Sequence, residues 1–257
     1  MINKFLILIF IFFLSCIDLY TNDENAYYES IHVQGGGWFK FYENNLNQEL
    51  EMDNNFTAQV WFSGQNDSSD EANCIVNILG LNSSISIFRN PNIDNQILVY
   101  DHTSLIAEIE LDNLNFNQSE IFNLITIKRE SNQIDILVNE NLLINDYEND
   151  EIVKIIVAAD LKNGNPENLW YGYIDEIRLW NEALSDSIIF FHNQYPSKIS
   201  ASYNDNHLNN LIGLWDFRLD MYQSSFDNTF QDINQNLIYT NLYTLETFEN
   251  IMSENGR

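Results

Sequence analysis

Tryptophan is the residue type in this chain best suited to bind a ligand through its ring, because the face of a sugar stacks on an indole. The five tryptophans differ in their surroundings. Trp61, Trp180 and Trp215 lie inside apolar runs typical of strands, where aromatic rings usually pack in a core. Trp38 and Trp170 flank loop-like segments instead. We therefore predict Trp38 and Trp170 as ligand-binding residues.

Residue types that carry catalysis or bind metals are present, but not at the spacing that their chemistry requires. The histidines lack metal-ligand spacing, no serine lies in a nucleophile elbow, and Gly35 to Gly37 do not form a phosphate-binding loop. Cys74 lies in an apolar run, which favours a buried, unreactive thiol. We predict no catalytic residue, and we expect loop or surface positions for the four histidines, His32, His102, His192 and His207.

The charge balance excludes whole classes of partner. The 257 residues include 11 Lys and Arg against 38 Asp and Glu, a formal net charge of −27. No basic cluster is available to neutralise successive phosphates, so we expect no nucleic-acid partner, and anionic lipid surfaces are disfavoured for the same reason. With 45% hydrophobic and 14% aromatic residues, the chain can fill one large core. This composition favours one globular all-β domain.

The first sixteen residues resemble a targeting signal. Lys4 precedes an apolar run from Phe5 to Leu14, which is too short to span a bilayer and is typical of a signal peptide. Ser15 and Cys16 at its end resemble a bacterial lipoprotein signal, in which Cys16 becomes the lipidated first residue. We expect a secreted protein at the outer membrane or cell surface, in contact with the membrane only through this lipid. Ordinary signal-peptidase cleavage near Ser15 is the alternative.

The rest of the chain divides into a tether, one domain and a tail. Residues 17–30 are polar and acidic without periodicity, as expected for a tether after a signal at residues 1–16. We predict one domain over residues 31–248 and expect a disordered tail over residues 249–257.

Period-two hydrophobic alternation is the main structural signal within this domain. Alternation from Phe56 to Phe62 predicts a strand with one buried face. So many short strands, separated by turn residues, predict a two-sheet antiparallel jelly-roll sandwich. One short helix, from a cap at Ser185 to a stop at Pro196, is expected to lie across an edge or end of the sandwich. Further strands are predicted at residues 74–79, 85–88, 96–100, 105–111, 124–128, 134–138, 152–158, 171–180, 211–217 and 237–242.

Three segments together resemble a known family. YGYIDEIRLWNEAL at Tyr171 to Leu184, followed by LIGLWDF at Leu211 to Phe217, resembles the laminin-G-like jelly-roll domains of the concanavalin A-like lectin/glucanase superfamily. FTAQVWFSG at Phe56 to Gly64 and NLITIKRESNQIDILVNENLLI at Asn123 to Ile144 are similar to a strand and a hairpin of those domains. LIGLWDF often opens such a domain. Its late position implies either a circularly permuted sandwich that closes on itself, which we favour, or the start of a second domain.

The strand within the first of these segments contains charged and apolar residues on both faces. Strict alternation would place Ile174 on the same face as Arg178 and Trp180, opposite to Asp175 and Ile177. We therefore expect a central strand, in which any buried charge needs a partner.

Asp175 is the candidate metal ligand that the resemblance implies. This position can hold calcium in lectin-like sandwiches, since hard cations select carboxylate and carbonyl oxygens. Asp227 and Asn228, in a loop similar to an Asp-containing loop of the family, are secondary candidates. The alternative is that the Asp175 carboxylate accepts backbone N–H groups and holds a loop in place. Calcium is thus the one cofactor predicted.

The resemblance includes glucanases, so catalysis has to be tested against the residues. Retaining glucanases of this superfamily carry Glu-x-Asp-x-x-Glu on one strand, and the nearest match is ELDNLN at Glu110 to Asn115. Asn115 replaces the acid/base glutamate, and an amide cannot donate the required proton. We therefore predict a non-enzyme, with Glu110 and Asp112 on a solvent-facing strand.

The function that these patterns favour is a non-catalytic cell-surface module that binds a glycan or a surface protein. This function is inferred from the fold resemblance. One alternative is a glycoside hydrolase or lyase with carboxylates not yet identified, and another is a structural module of a surface assembly. The sequence does not indicate an oligomeric state.

Overall fold

The computed structural model describes residues 31–34, 37–43, 55–64, 73–112, 114, 116, 121–148, 150–162, 165–196, 198–200, 206–215, 229–231, 237–239 and 241–244. Its single α-helix among these residues is α1 (Asp186–Gln194), and a 3-10 turn spans Asn206–Asn210. The strands are β1 (Ile31–Gln34), β2 (Gly37–Glu43), β3 (Phe56–Gly64), β4 (Asn73–Gly80), β5 (Ser84–Arg89), β6 (Gln96–Asp101), β7 (Ser104–Glu110), β8 (Asn123–Glu130), β9 (Gln133–Val138), β10 (Asn141–Glu148), β11 (Ile152–Val157), β12 (Asp160–Lys162), β13 (Asn165–Glu167), β14 (Tyr171–Trp180), β15 (Leu211–Trp215), β16 (Thr229–Gln231), β17 (Leu237–Tyr239) and β18 (Asn241–Thr244).

Two seven-stranded antiparallel sheets form the body of the fold. The first sheet has the order β1-β14-β3-β8-β9-β10. Its seventh strand, β15, lies on the same side of β14 as β1: β1 pairs with the first half of β14, and β15 pairs with the second half. The second sheet has the order β18-β2-β11-β4-β5-β6-β7. The strands β12 and β13 form a small separate hairpin, as do β16 and β17. The predicted all-β, two-sheet jelly-roll sandwich with one short helix is confirmed.

The core lies between the two sheets and follows the predicted alternation. Phe56, Ala58, Val60 and Phe62 of β3 are all fully buried and belong to the main apolar cluster. The intervening residues of β3 face the outer side of the first sheet, where they are buried as well. Because both faces of β3 are covered, β3 is a central strand.

A β-bulge in β14 changes the alternation that the sequence predicted for this strand. The register shifts between Ile174, which pairs with Phe62, and Ile177, which pairs with Val60. Both isoleucines therefore face the core, and the predicted grouping of Ile174 with Arg178 and Trp180 is wrong. A bulge inserts a residue into one strand only, so the faces before and after it are no longer related by simple alternation.

Gly172 of β14 lies where this strand approaches β3 very closely. A Cβ atom at this position would be 2.2 Å from the Ser63 carbonyl oxygen and 2.7 Å from Nε1 of Trp170. No side chain fits this space without moving backbone. The glycine in the family-like segment thus has a packing role.

Helix α1 lies on the outer face of the first sheet. Ser185 is its N-cap residue, although the serine side chain makes no capping hydrogen bond. Ile189 packs with Leu137 of β9 and Trp180 of β14 in a second apolar cluster. The helix is thus present where the sequence predicted it. The predicted position across an edge or end of the sandwich is wrong, because the helix packs its apolar side chains against apolar residues on the outer face of the sheet.

The C-terminal strands complete both sheets. β15 pairs with Ile177 to Trp180 of β14, and β18 pairs with β2 at the edge of the second sheet. These pairings agree with a sandwich that closes on itself.

None of the helices described here is long and apolar enough to cross a membrane.

Candidate functional site

The outer face of the first sheet carries two rows of side chains that cross neighbouring strands. Residues paired across strands share a face, so each row is set by strand register. The first row runs Arg178, Gln59, Thr126, Leu137, Leu142, and the second runs Trp180, Thr57, Lys128, Asp135. Both rows start on β14, and together they extend to β10 at the sheet edge.

At the β14 end, α1 covers these rows and forms a closed polar cluster. The ring of His192 stacks on Trp180, with ring centroids 5.4 Å apart and an interplanar angle of 18°. Nε1 of Trp180 donates to Oε1 of Gln59 over 3.2 Å, and Nδ1 of His192 lies 3.0 Å from the same oxygen. Nε2 of His192 lies 2.8 Å from the carbonyl oxygen of Ile199. These contacts attach the helix to the sheet.

His192 is fully buried, so the expected loop or surface position is wrong for this histidine. Burial, followed by the nearby positive charge of Arg178, lowers the pKa of His192 to about 3. The imidazole is therefore neutral at physiological pH. His192 serves as a packing and hydrogen-bonding residue of the helix–sheet interface.

Arg178 holds the segment that follows α1. Its guanidinium is fully buried, donates from Nε to Glu176 and donates to the carbonyl oxygens of Pro196 and Lys198. The same group lies over the Trp61 ring, 4.4 Å from its centroid. Because the charge is both paired and stacked, this end of the sheet face is closed to ligands.

At the β10 end, the same face opens into a groove beside α1. Its volume is about 290 Å³, close to the lower limit of small-molecule sites. The groove is lined by Lys128, Asp135, Leu137, Glu140, Leu142, Asn145, Asp186, Ile189 and Phe190. Strands β8, β9 and β10 supply the floor, and α1 supplies one wall.

Lys128 links the floor of this groove to the helix. Its Nζ lies 3.1 Å from Asp135 and 3.2 Å from Asp186 in the first turn of α1. Burial alone would lower the pKa of Lys128, but the hydrogen bonds and charges of the two carboxylates outweigh it and raise the pKa. The lysine is therefore fully protonated, and two partners already share its charge.

Two large apolar side chains remain open in the groove. Leu142 is 51% exposed and Phe190 is 45% exposed. Glu140 accepts a hydrogen bond of 3.2 Å from Asn193 of the helix. An exposed ring beside carboxylate and amide groups offers both stacking surface and hydrogen-bond acceptors. This combination suits a polar ligand with an apolar face, such as a sugar.

The structure places the predicted ligand-binding tryptophans in the core. Trp38 is 8% exposed and Trp170 is fully buried, and both belong to the main apolar cluster. The rings of Phe62 and Phe116 pack edge-on against Trp170. A stacking platform needs an open ring face, so the predicted ligand-binding role is wrong for both tryptophans. Loop-like sequence beside a tryptophan does not determine its exposure, because burial of the ring depends on packing with distant strands.

The predicted metal residues fall partly outside the described part of the chain. Asp175 is 9% exposed and lies in the β14 bulge between Ile174 and Ile177. Asp227, Asn228 and the lipidation candidate Cys16 lie outside the described residues. Among the residues that the structure does describe, no three His, Cys, Asp or Glu side chains converge in a metal-binding group.

The segment similar to the glucanase motif, Glu110 to Asn115, begins at the end of an edge strand. Glu110 ends β7, the edge strand of the second sheet, and both Glu110 and Asp112 are exposed. The exposed Glu110 agrees with the predicted solvent face of a strand, whereas Asp112 lies in the turn after β7, because the strand ends at Glu110. Asn115 lies outside the described residues.

None of the groove residues was predicted from the sequence as a functional residue. Most of them belong to the hairpin segment Asn123 to Ile144, which was interpreted for its fold only. The available signal was an outward-facing leucine, Leu142, among polar neighbours, together with Phe190 on a short helix.

Comparison with known proteins identifies the fold. No protein-family model and no curated protein sequence matches the chain. A proposed carbohydrate-binding protein from Bacteroides ovatus ATCC 8483 matches with a TM-score of 0.51 and 12% identity, over 88% of this chain and 62% of that chain. The CBM40 domain of the Ruminococcus gnavus IT-sialidase, solved with α2,3-sialyllactose, gives 0.46 and 10%, over 64% of this chain and 96% of that chain.

Mouse laminin α1 domains LG4-5 give a TM-score of 0.42 at 12% identity, over 59% of this chain and 40% of theirs. The class that the fold defines is the two-sheet antiparallel jelly roll. At these identities the likeness concerns the fold alone.

Proposed function

We propose that this protein is a non-catalytic module that binds glycans through the groove beside α1. The observation that carries the proposal is the open groove of about 290 Å³, in which Phe190 and Leu142 lie beside Asp135, Glu140 and Asp186. The Bacteroides ovatus protein of the same fold is itself a proposed carbohydrate-binding protein, which adds support.

A glycan array with the chain and two leucine variants tests this proposal. Leu142→Ala removes a side chain of the groove that is 51% exposed, whereas Leu105→Ala removes one on β7 that is 48% exposed and lies outside it. We expect Leu142→Ala to weaken binding of the array hits by about tenfold, and Leu105→Ala to leave it unchanged. Equal effects of the two variants, or an array without hits, would contradict a glycan site in this groove.

A hydrolase or lyase is the second candidate, because the superfamily that the sequence resembles includes glucanases. The exposed positions of Glu110 at the end of an edge strand and of Asp112 in the turn after it speak against it, since paired catalytic carboxylates need a shared cleft. A turnover assay on sugar polymers decides the question. Turnover that is lost in Glu110→Gln would establish the enzyme.

The structural-module alternative predicts stable association with a surface protein and no affinity for sugar.

We propose that the protein reaches the outer membrane or cell surface through a lipid on Cys16. Intact mass measurement of the membrane-extracted protein tests this point, because lipidation adds an acyl increment to a chain that begins at Cys16. A mature chain without that increment would leave a secreted protein.

Calcium at Asp175 is a further proposal that the family resemblance motivates. An ion that binds only the folded state raises the melting temperature. We expect a higher melting temperature in millimolar calcium than in chelator, and we expect Asp175→Asn to remove the difference. Identical melting curves for the unmodified chain would refute the calcium proposal.

A further inference from the structure

The charges of the groove indicate which glycans it would accept. Its lining contains three carboxylates, Asp135, Glu140 and Asp186, and one ammonium, Lys128. Three negative charges and one positive charge leave a net charge of −2 in the groove. The chain as a whole has a formal charge of −27, so its long-range field has the same sign.

Lys128 does not offset this charge toward a ligand. It is the only cation among the described residues that line the groove, and its side chain is 16% exposed. Both Asp135 and Asp186 already lie within 3.2 Å of its Nζ. A carboxylate or sulfate of an acidic sugar would therefore meet no free cation and would be repelled by the carboxylates.

The carboxylates, in contrast, keep capacity for a donor. The Asp186 side chain is 83% exposed, and a carboxylate has about four acceptor positions, of which Lys128 uses one. Glu140 receives one described hydrogen bond, from Asn193. A protonated amine next to Phe190 would form charge-assisted hydrogen bonds with these groups while its sugar ring covers the apolar surface.

We propose that the groove selects glycans with free, protonated amino groups, such as glucosamine units, over N-acetylated or acidic sugars. This inference rests on the proposed glycan-binding function. Charge complementarity favours the amino sugar, and the exposed Phe190 and Leu142 supply the surface that its ring contacts.

Calorimetric titration of the full chain with matched oligosaccharides tests the inference. The probes are a glucosamine oligosaccharide, its fully N-acetylated counterpart of equal length, a sialylated oligosaccharide and an oligolysine peptide. The pH is set so that the sugar amines are protonated and the carboxylates are ionised. We expect the glucosamine oligosaccharide to bind at least about tenfold tighter than the other probes, with an affinity that falls as salt is added.

A pair of charge-matched double variants separates the groove from the general field of the protein. Asp186→Asn with Glu140→Gln removes two groove carboxylates, and Asp112→Asn with Glu108→Gln removes two exposed carboxylates outside the groove. We expect only the first double variant to lose the preference for the free amine. Equal losses in both would mean that the overall charge attracts the sugar, and would overturn the inference.

The remaining outcomes distinguish this inference from the proposed function. N-acetylated or sialylated sugars that bind as tightly as the glucosamine oligosaccharide would overturn the amine preference and leave glycan binding intact. Absence of binding by every sugar would refute the proposed function itself. Oligolysine that binds as tightly as the glucosamine oligosaccharide and loses affinity in the groove variant would replace the sugar with a basic protein segment.

Discussion

The two ends of the outer face of the first sheet both carry an aromatic and a charged residue, but they differ in exposure. At the β14 end, Trp180 and Arg178 are fully buried, because α1 and the segment after it cover them. At the other end, Leu142 of β10 and Phe190 of α1 are about half exposed beside a groove. Whether an aromatic or charged side chain on this face contributes to packing or stays open to solvent therefore depends on whether α1 and the following segment lie over it.

Helix α1 itself shows the same division. Ile189 and His192 are buried against the sheet, whereas Asp186 and Phe190 are exposed. A nine-residue helix has about two and a half turns, enough to present one face to the sheet and another to solvent. One short element thus closes one half of the sheet face and forms a wall of the groove at the other half.

The largest expected effect is the loss of the ring at the closed end. Trp180→Ala removes a fully buried side chain and its stacking on His192, so we expect the free energy of unfolding to fall by about 3–5 kcal/mol. Chemical denaturation measures this loss. Leu142→Ala at the open end serves as the control and should cost less than about 1 kcal/mol. Similar losses in the two variants would break the distinction between a covered and an open end.

A smaller effect concerns the pH dependence of stability, which should trace to the closed end. His192 has a folded-state pKa of about 3 against an ordinary value of 6.5, so below pH 6.5 the unfolded chain takes up a proton that the folded protein does not. Stability is therefore complete above pH 6.5 and falls as the pH is lowered toward about 3. At pH 5 the loss is about 2 kcal/mol, since one pKa unit corresponds to about 1.4 kcal/mol.

Comparison with His192→Gln isolates this contribution, because both proteins share every other titrating group. Denaturation curves at pH 7 and pH 5 should show a greater loss for the unmodified chain than for the variant. If both proteins lose the same amount of unfolding free energy between pH 7 and pH 5, His192 can take up a proton in the folded state, and the helix does not seal this end of the sheet face.

The smallest expected effect is the removal of the ion pairs at the open end. Lys128→Met keeps the aliphatic stem and removes the charge that Asp135 and Asp186 share. We expect the free energy of unfolding to change by less than about 1 kcal/mol. The Asp186 carboxylate is 83% exposed, so that pair contributes little, and the variant also removes the cost of partly burying the ammonium, which offsets the lost contact with the half-buried Asp135. The difference should shrink further in high salt. Thermal denaturation at low and high salt measures it, and a loss of several kcal/mol would place Lys128 with the buried residues.

The fold could be predicted from sequence to a large extent, since its signals are local. Apolar residues alternate from Phe56 to Phe62, and only a strand places such residues on one face that can be buried. The helix begins after Ser185, a residue type that commonly caps helices. The bulge at Asp175 could not be predicted, because it depends on how β14 pairs with β3 more than a hundred residues away in sequence. The groove could not be predicted either, since no local pattern shows that Asp186 of α1 lies beside Lys128 of β8.

Residue types and their spacing along the chain were enough to predict the all-β class, most strand positions, the short helix and the strongly acidic character of the protein. These properties depend on residue type and on periods of two or 3.6 residues along the chain. Tertiary structure alone decided that Trp38 and Trp170 are core residues, that His192 is buried, and that Phe190 and Leu142 border an open groove. Burial is a property of packing between distant segments, so it is settled only when strand register and helix placement bring those segments together.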